Sequence, residues 1–356
     1  MGWWLMMVGL GMFPKVVNGT TFCFELEDDE TLCDGVEAQV VRYMDAVGLY
    51  DGFEGINNWE IEQGDSIYLA GNRTIHDGAE PLSLGINETT WIGLNCEIRD
   101  VVPDPITDDC IQQYSPLRIG GDGVKVQDVT IIRHVSSIPD EHECTQFTTL
   151  YPIGIGGNNV TLDGVTVSFK GKGWTGRWCD DPCSYSTDDC IKLTGTIHGG
   201  GNRFTLRNSL LKQCGEAGVD AVGEDDGTIQ DNTFTRMLEN GISIKGGSTN
   251  WTIEGNTFSF IKYHPIHLGG ISDGKYQESC DYHLKNVKIH NNTVYGRTRP
   301  HWGNYLNLGV KIAGVDSLLM YENNFIEASI DTSTGIVLNG CGSDIHEMHN
   351  GYLDIR

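Results

Sequence analysis

A chain of 356 residues with 46 Gly, 10 Pro and a formal charge of -25 is long enough to bury one extended core or two ordinary ones. The charge excludes nucleic acid and anionic membrane surfaces as partners, because both demand a basic footprint. Abundant Gly beside scarce Pro, with Asn, Thr, Ile and Val recurring without a break beyond residue 60, favours one domain of short strands and tight turns.

The N-terminus, MGWWLMMVGLGMF, is an apolar run of signal-peptide length, so residues 1–20 read as a signal peptide and the protein as secreted or lumenal. No membrane span is expected. Glycosylation sequons at Asn18, Asn72, Asn87, Asn159, Asn250 and Asn291 support the secretory reading. So do the 11 cysteines, whose odd number leaves one thiol unpaired. Cys23 with Cys33 and Cys179 with Cys183 are the expected local bridges. Residues 21–60 form an N-terminal cap region, in which the apolar spacing of EAQVVRYMDAVGLY from Glu37 predicts a short capping helix. Such a cap protects the exposed end of the domain that spans 61–356.

Within that domain two segments alternate. The first reads VKVQDVTI at 124, NVTLDGVTV at 159, RFTLRNSLL at 203, GTIQDNTF at 227, NWTIEGNTF at 250, NVKIHNNTV at 286 and LLMYENNF at 318. The second reads PLRIG at 116, PIGIG at 152, CIKLT at 190, GVDAV at 218, GISIK at 241, PIHLG at 265, GVKIA at 309 and GIVLN at 335. Each alternates apolar and polar residues, the period of a half-buried strand. Val219, Ile242 and Ile266 are separated by 23 and 24 residues, too few for a helical crossover between parallel strands. The expected fold is therefore all-β, a right-handed parallel β-helix, in which equivalent residues of successive coils stack about 4.8 Å apart. Asn232, Asn256, Asn292 and Asn323 fall into one column at a bend, where stacked amides can bond one another.

With Ile191, Val219, Ile242 and Ile266 inward, alternation turns Lys192, Asp220, Ser243 and His267 outward, and Lys245 with them. Asp188, Glu216, Glu239 and Tyr263 precede these residues by four positions. Long connections at about 133–149, 168–187 and 295–306 leave from the same turn and are expected to wall in this polar strip. Two of them are aromatic and basic in an otherwise acidic chain. One carries Trp174, Arg177 and Trp178; the other carries Arg297, Arg299, His301, Trp302 and Tyr305. Aromatic faces stack on sugar rings and guanidinium groups clamp carboxylates, so these residues and His267 are candidates for binding a carbohydrate.

On these motifs the chain resembles the pectate lyase and polygalacturonase superfamily, more closely on the pectate lyase side. NSLLKQCGEAGVDAV is similar to the lyase segment whose two carboxylates bind calcium, which places Glu216 and Asp220 on those positions. STDDCIKL resembles the segment that gives a further acidic ligand, here Asp188 or Asp189, and Glu239 stands beside them. A further Asp of that pattern corresponds to Arg207. GRTRPHW resembles the Arg-containing segment around a Pro, implying Arg299 or Arg297 as the catalytic base, with Lys245 and Lys262 as alternatives. The second Arg after the Pro is replaced by His301 and Trp302. DDC and ENGISIK resemble the polygalacturonase pattern, but Glu216-Ala217-Gly218 and Ser243 replace its Gly-His-Gly and Arg.

The resemblance implies a lyase, or a uronan C5-epimerase, that acts on an acidic polysaccharide with Ca²⁺ by abstracting a proton next to the uronate carboxylate. A glycoside hydrolase and a non-catalytic glycan-binding or structural β-helix are the alternatives. Four residues of straight strand span about 13 Å, so Glu216 and Asp220 can share one ion only if the chain bends at Gly218.

Overall fold

The computed structural model describes residues 19–27, 32–41, 56, 60–76, 81–102, 115–135, 151–171, 189–194, 203–237, 239–269, 284–295, 308–313, 315, 317–326, 329–331, 344–348 and 351–353. All strand pairings among them are parallel and join each coil to the next.

One sheet has nine strands, Leu82–Leu84, Leu117–Ile119, Ile153–Ile155, Ile191–Thr194, Ala217–Val222, Asn240–Lys245, Ile266–Gly269, Leu308–Ala313 and Ser329–Asp331, stacked in sequence order. The remaining 19 strands form the rest of the wall. Its early coils are long bent strands, Ser66–His76, Thr90–Val102 and Lys125–Val135. From Val160 onward each coil splits there into two short strands, such as Phe204–Arg207 and Leu210–Lys212. The cross-section thus has three faces around one apolar core.

Register follows the expected columns as far as Val310, after which Ser329–Asp331 continues the sheet and the segment expected at 335 lies outside the described residues. Ile153, Ile191, Val219, Ile242, Ile266 and Val310 stack in order, each fully buried. Leu193, Ala221, Ile244 and Leu268 form a parallel column. On another face Leu211, Phe234, Phe258, Val294 and Phe325 do the same, with the rings of Phe234 and Phe258 stacked at 5.0 Å.

The asparagine column is a closed ladder. Nδ2 of Asn232 donates to Oδ1 of Asn256, Nδ2 of Asn256 to Oδ1 of Asn292, and Nδ2 of Asn292 to Oδ1 of Asn323, each at 3.0 Å. Every Oδ1 also accepts the backbone N–H of the rung before it. Ser209 caps the column, donating its N–H to Oδ1 of Asn232 at 2.9 Å. These amides are 0–1% exposed, and bonding inside the wall removes the desolvation cost they would otherwise bring.

The residue before each rung turns the corner in the left-handed region. Asn208, Asp231, Asn291 and Glu322 have φ of 53°, 54°, 55° and 56°. Asn and Asp visit that region more readily than other side chains. Gly255 occupies the same column, where an added Cβ would lie 2.1 Å from Oδ1 of Asp231.

The stack reaches into the expected cap region. Thr21–Glu25 pairs with Ser66–Ala70, and Gln39–Val41 pairs with Phe22–Phe24. The predicted helix from Glu37 is corrected in its described part, where Gln39–Val41 is a strand, and its continuation from residue 42 lies outside the described residues. Backbone bonds to Phe22–Phe24 override the helical spacing there. Residues 1–18, with the expected signal peptide and Asn18, also lie outside.

Cys23–Cys33 is a disulfide, as expected. Cys190–Cys214 is a second, joining adjacent coils beside the outward strip. Cys179 and Cys183 lie outside the described residues. Cys96 is free and buried, and burial pushes its thiol up to about 12.

Candidate functional site

The nine-stranded sheet sets the strip. In register, Lys192 faces Asp220, Asp220 faces Ser243, Ser243 faces His267 and His267 faces Lys311. All five alternate with the buried columns, so they point away from the core. At the entry to the strands, Asn240 N–H donates to Glu216 O at 2.8 Å and Tyr263 N–H to Glu239 O at 2.9 Å. Glu216, Glu239 and Tyr263 therefore stand side by side on three successive coils.

Outward does not mean solvated here. Asp220 and Ser243 are 2% and 1% exposed. Lys192 lies between two carboxylates, its Nζ donating to Oδ2 of Asp189 at 3.1 Å and to Oδ2 of Asp220. Lys245 closes the other side, with Nζ 3.1 Å from Oδ1 of Asp220. Oδ1 of Asp189 accepts the backbone N–H of Ala217 at 3.0 Å, tying this carboxyl to the next coil.

These contacts fix the protonation pattern. Burial pushes the Asp220 carboxyl up, but the ammonium groups of Lys245 and Lys192 outweigh it and hold it below the usual carboxylate range. Asp189 is pushed well above that range by burial and by Asp220 beside it, against the pull of Lys192. Burial lowers Lys192, yet Asp189 and Asp220 together raise it, so it stays charged. Glu239 rises to about 7 through burial and the neighbouring Glu216, opposed by Lys245 and Lys262. His267 falls to about 3 through burial and the positive groups of Lys311, His264 and Lys245, and is a neutral imidazole at physiological pH. Its ring lies 5.8 Å from that of His264, and Lys262 Nζ stands 4.9 Å from the Tyr263 ring centre.

Of the residues expected at the site, Lys245, His267, Glu216, Asp220 and Glu239 share this strip. Asp188, Trp174, Arg177, Trp178, Arg297, Arg299, Trp302 and Tyr305 lie outside the described residues. Sequence reasoning turned Lys192 outward but gave it no role. The signal was available in the register of Lys192 against Asp220, but the reach of a lysine side chain across coils could not be read from spacing. Asp189, one of two alternatives in its segment, accepts the Ala217 N–H, and Asp188 lies outside the described residues.

Among the described residues, which do not include Asp188, the oxygens of Asp189 and Asp220 are taken up by other partners and are not left free for the calcium site implied by the resemblance. Ala217–Val222 keeps one register against Asn240–Lys245. Gly218 serves close packing, since a Cβ there would lie 2.6 Å from the backbone oxygen of Gly241 and 2.7 Å from the ring of Phe234. Both oxygens of Asp220 already face ammonium groups. Among the described residues, no three His, Cys, Asp or Glu side chains are grouped to hold a metal ion.

Asn72, Asn87, Asn159, Asn250 and Asn291 are all exposed. No helix among the described residues is long and apolar enough to cross a membrane.

The chain belongs to the right handed beta helix region family, whose profile matches residues 83–272 and 196–350. Comparison with curated proteins finds no match. Among solved structures, the fold is similar to that of the Dettilon tailspike protein, at 12% identity and a TM-score of 0.38 over 74% of this chain. This chain spans 56% of the tailspike's length. It is also similar to a mannuronic-acid-specific family 6 polysaccharide lyase from the human gut microbiota, at 12% identity and a TM-score of 0.32, covering 83% of this chain and 87% of that one. The A-module of an Azotobacter vinelandii mannuronan C-5 epimerase gives 12% identity and a TM-score of 0.30, covering 82% and 90% of the two chains.

Proposed function

We propose that the protein is a secreted enzyme that acts on an acidic polysaccharide by moving a proton at the carbon next to a uronate carboxylate, as a lyase or a C5-epimerase. The observation that carries this reading is Glu239, a half-buried carboxyl that stands between Glu216 and Tyr263 on successive coils, pushed up to about 7 by burial and Glu216 against the pull of Lys245 and Lys262. Proton transfer is fastest when the group titrates near the working pH. Fixed cations beside it stabilise the charge that develops on the substrate.

In the proposed sequence the Glu239 carboxylate takes the proton from C5, and the electron pair left behind spreads into the uronate carboxylate, where Lys245 and Lys192 stabilise it. For elimination, that pair forms the C4–C5 double bond as the C4–O bond breaks, and a proton passes to the departing oxygen. For epimerisation, a proton returns to C5 from the opposite face. Arg299 or Arg297 is proposed to supply that second proton-transfer group, and Trp174, Arg177, Trp178, Trp302 and Tyr305 to hold the sugar chain. His267, neutral and accepting, is proposed to bond a sugar hydroxyl. Two disulfides and the five exposed sequon asparagines support a secreted glycoprotein.

The test is incubation with uronic-acid polymers in D₂O. Deuterium at C5, or unsaturated ends absorbing in the ultraviolet, is the expected result, and either must vanish in Glu239→Gln. New reducing ends without either signal would make the protein a hydrolase; binding without any chemical change would make it a glycan-binding module.

A further inference from the structure

A divalent cation at this strip would have to find free carboxylate oxygens, and the structure shows where they go. Oδ1 of Asp189 accepts the Ala217 N–H, Oδ2 of Asp189 and Oδ2 of Asp220 face Lys192, and Oδ1 of Asp220 faces Lys245. Both carboxylate side chains are 3% exposed, while the two lysines are 19% and 20% exposed. The acids are thus sealed beneath the ammonium groups, which form the surface of the strip. Calcium takes six to eight oxygen ligands. To enter, it would displace two ammonium groups from Asp189 and Asp220 and hold them beside a doubly charged ion. Like charges at such range in a half-buried site repel strongly.

We infer that Lys192, seated between Asp189 and Asp220 with Lys245 alongside, is a built-in replacement for a divalent cation, so that the strip needs and binds no calcium. The ammonium supplies the positive charge that lets two acids on adjacent coils approach. Its exposed edge offers the same charge to an anionic substrate. That last role rests on the function proposed above, whereas the exclusion of the metal does not. Lys192 is on this account a positioning residue for the acid pair.

The experiment uses the full chain without substrate, so that failure of the enzymatic reading leaves its outcome intact. Calorimetry with CaCl₂ on the EDTA-treated protein is expected to give no saturable heat, and Ca²⁺ is expected to leave the melting temperature unchanged. Lys192→Met frees Oδ2 of Asp189 and Oδ2 of Asp220; it should melt several degrees lower in EDTA and recover on adding Ca²⁺, with saturable heat and Tb³⁺ luminescence. Lys192→Arg, which keeps the charge, should show neither response. Saturable Ca²⁺ heat in the unaltered protein that disappears in Asp220→Asn would overturn the inference, as would a folded Lys192→Met with no cation response. Should Lys192→Met fail to fold even with Ca²⁺, calorimetry on the unaltered protein decides alone: no saturable heat sustains the inference, and heat abolished by Asp220→Asn ends it.

Discussion

Lys245 leans back two positions along its strand to reach Asp220. In register it stands opposite Val222, while Asp220 stands opposite Ser243, yet Lys245 Nζ and Asp220 Oδ1 are 3.1 Å apart. The tilt turns a lysine at the end of one coil into a neighbour of an acid in the middle of the one before. It also brings positive charge toward Glu239, where it partly offsets the effect of Glu216.

Glu239 sets the first expectation. If its carboxylate takes the proton, kcat/KM should rise with pH and level off above about 7, since only the deprotonated form is competent. Glu239→Gln should lower turnover roughly 100- to 10,000-fold and remove that limb of the profile. A pH–rate profile on the best substrate checks both, and an unchanged limb in the variant would assign it to another group.

The imidazole of His267 makes stability depend on acid. Its folded value of about 3 lies below the ordinary 6.5, so below 6.5 the unfolded chain binds a proton that the folded chain refuses. Unfolding free energy should therefore fall as pH drops from 6.5 toward 3, and be insensitive to this group above 6.5. His267→Gln should flatten that part of the curve, measured by denaturant titration at several pH values.

Ile242 tests the core. It is fully buried between Val219 and Ile266 in one continuous apolar column. Ile242→Asp should cost about 4 kcal/mol or more, because an unpaired charge enters that column. Ile242→Val should cost only about 1 kcal/mol. Chemical denaturation of the two variants separates the effects.

The middle rung of the amide ladder is more demanding than a surface asparagine. Asn256→Ala would leave the backbone N–H of Asn232 and the carbonyl of Ile229 without their partners. A loss of about 3 kcal/mol is expected from stranding these buried groups. Asn72→Ala, at an exposed strand position, should cost well under 1 kcal/mol, and comparing the two midpoints checks the claim.

The cross-section was legible in the sequence because alternation is a local property. Ile191, Val219, Ile242 and Ile266 announce themselves by period, and Asn232 through Asn323 by recurring at the same bend. What escaped depends on distances between coils. The Cys190–Cys214 bridge links residues 24 apart, and nothing local distinguishes it from other pairings of 11 cysteines. The stretch from Glu37 has apolar residues that suit either a helix or a strand, and the partner Phe22–Phe24 decides for strand over Gln39–Val41. At the site, outward direction was correct for Lys192 and Asp220, but the burial of Asp220 follows from side chains of neighbouring coils closing over it.

Successive rungs of the amide ladder are 24, 36 and 31 residues apart along the chain, yet the bonds between them are the same length. The frame is thus indifferent to how much polypeptide each circuit contains. Loop content and wall geometry are separate design variables, so a segment exchanged between Gly269 and Leu284 should alter what the molecule recognises without disturbing the rungs on either side. Such a chain can diversify its specificity by insertion and deletion, the coarsest of genetic changes, while its scaffold stays fixed.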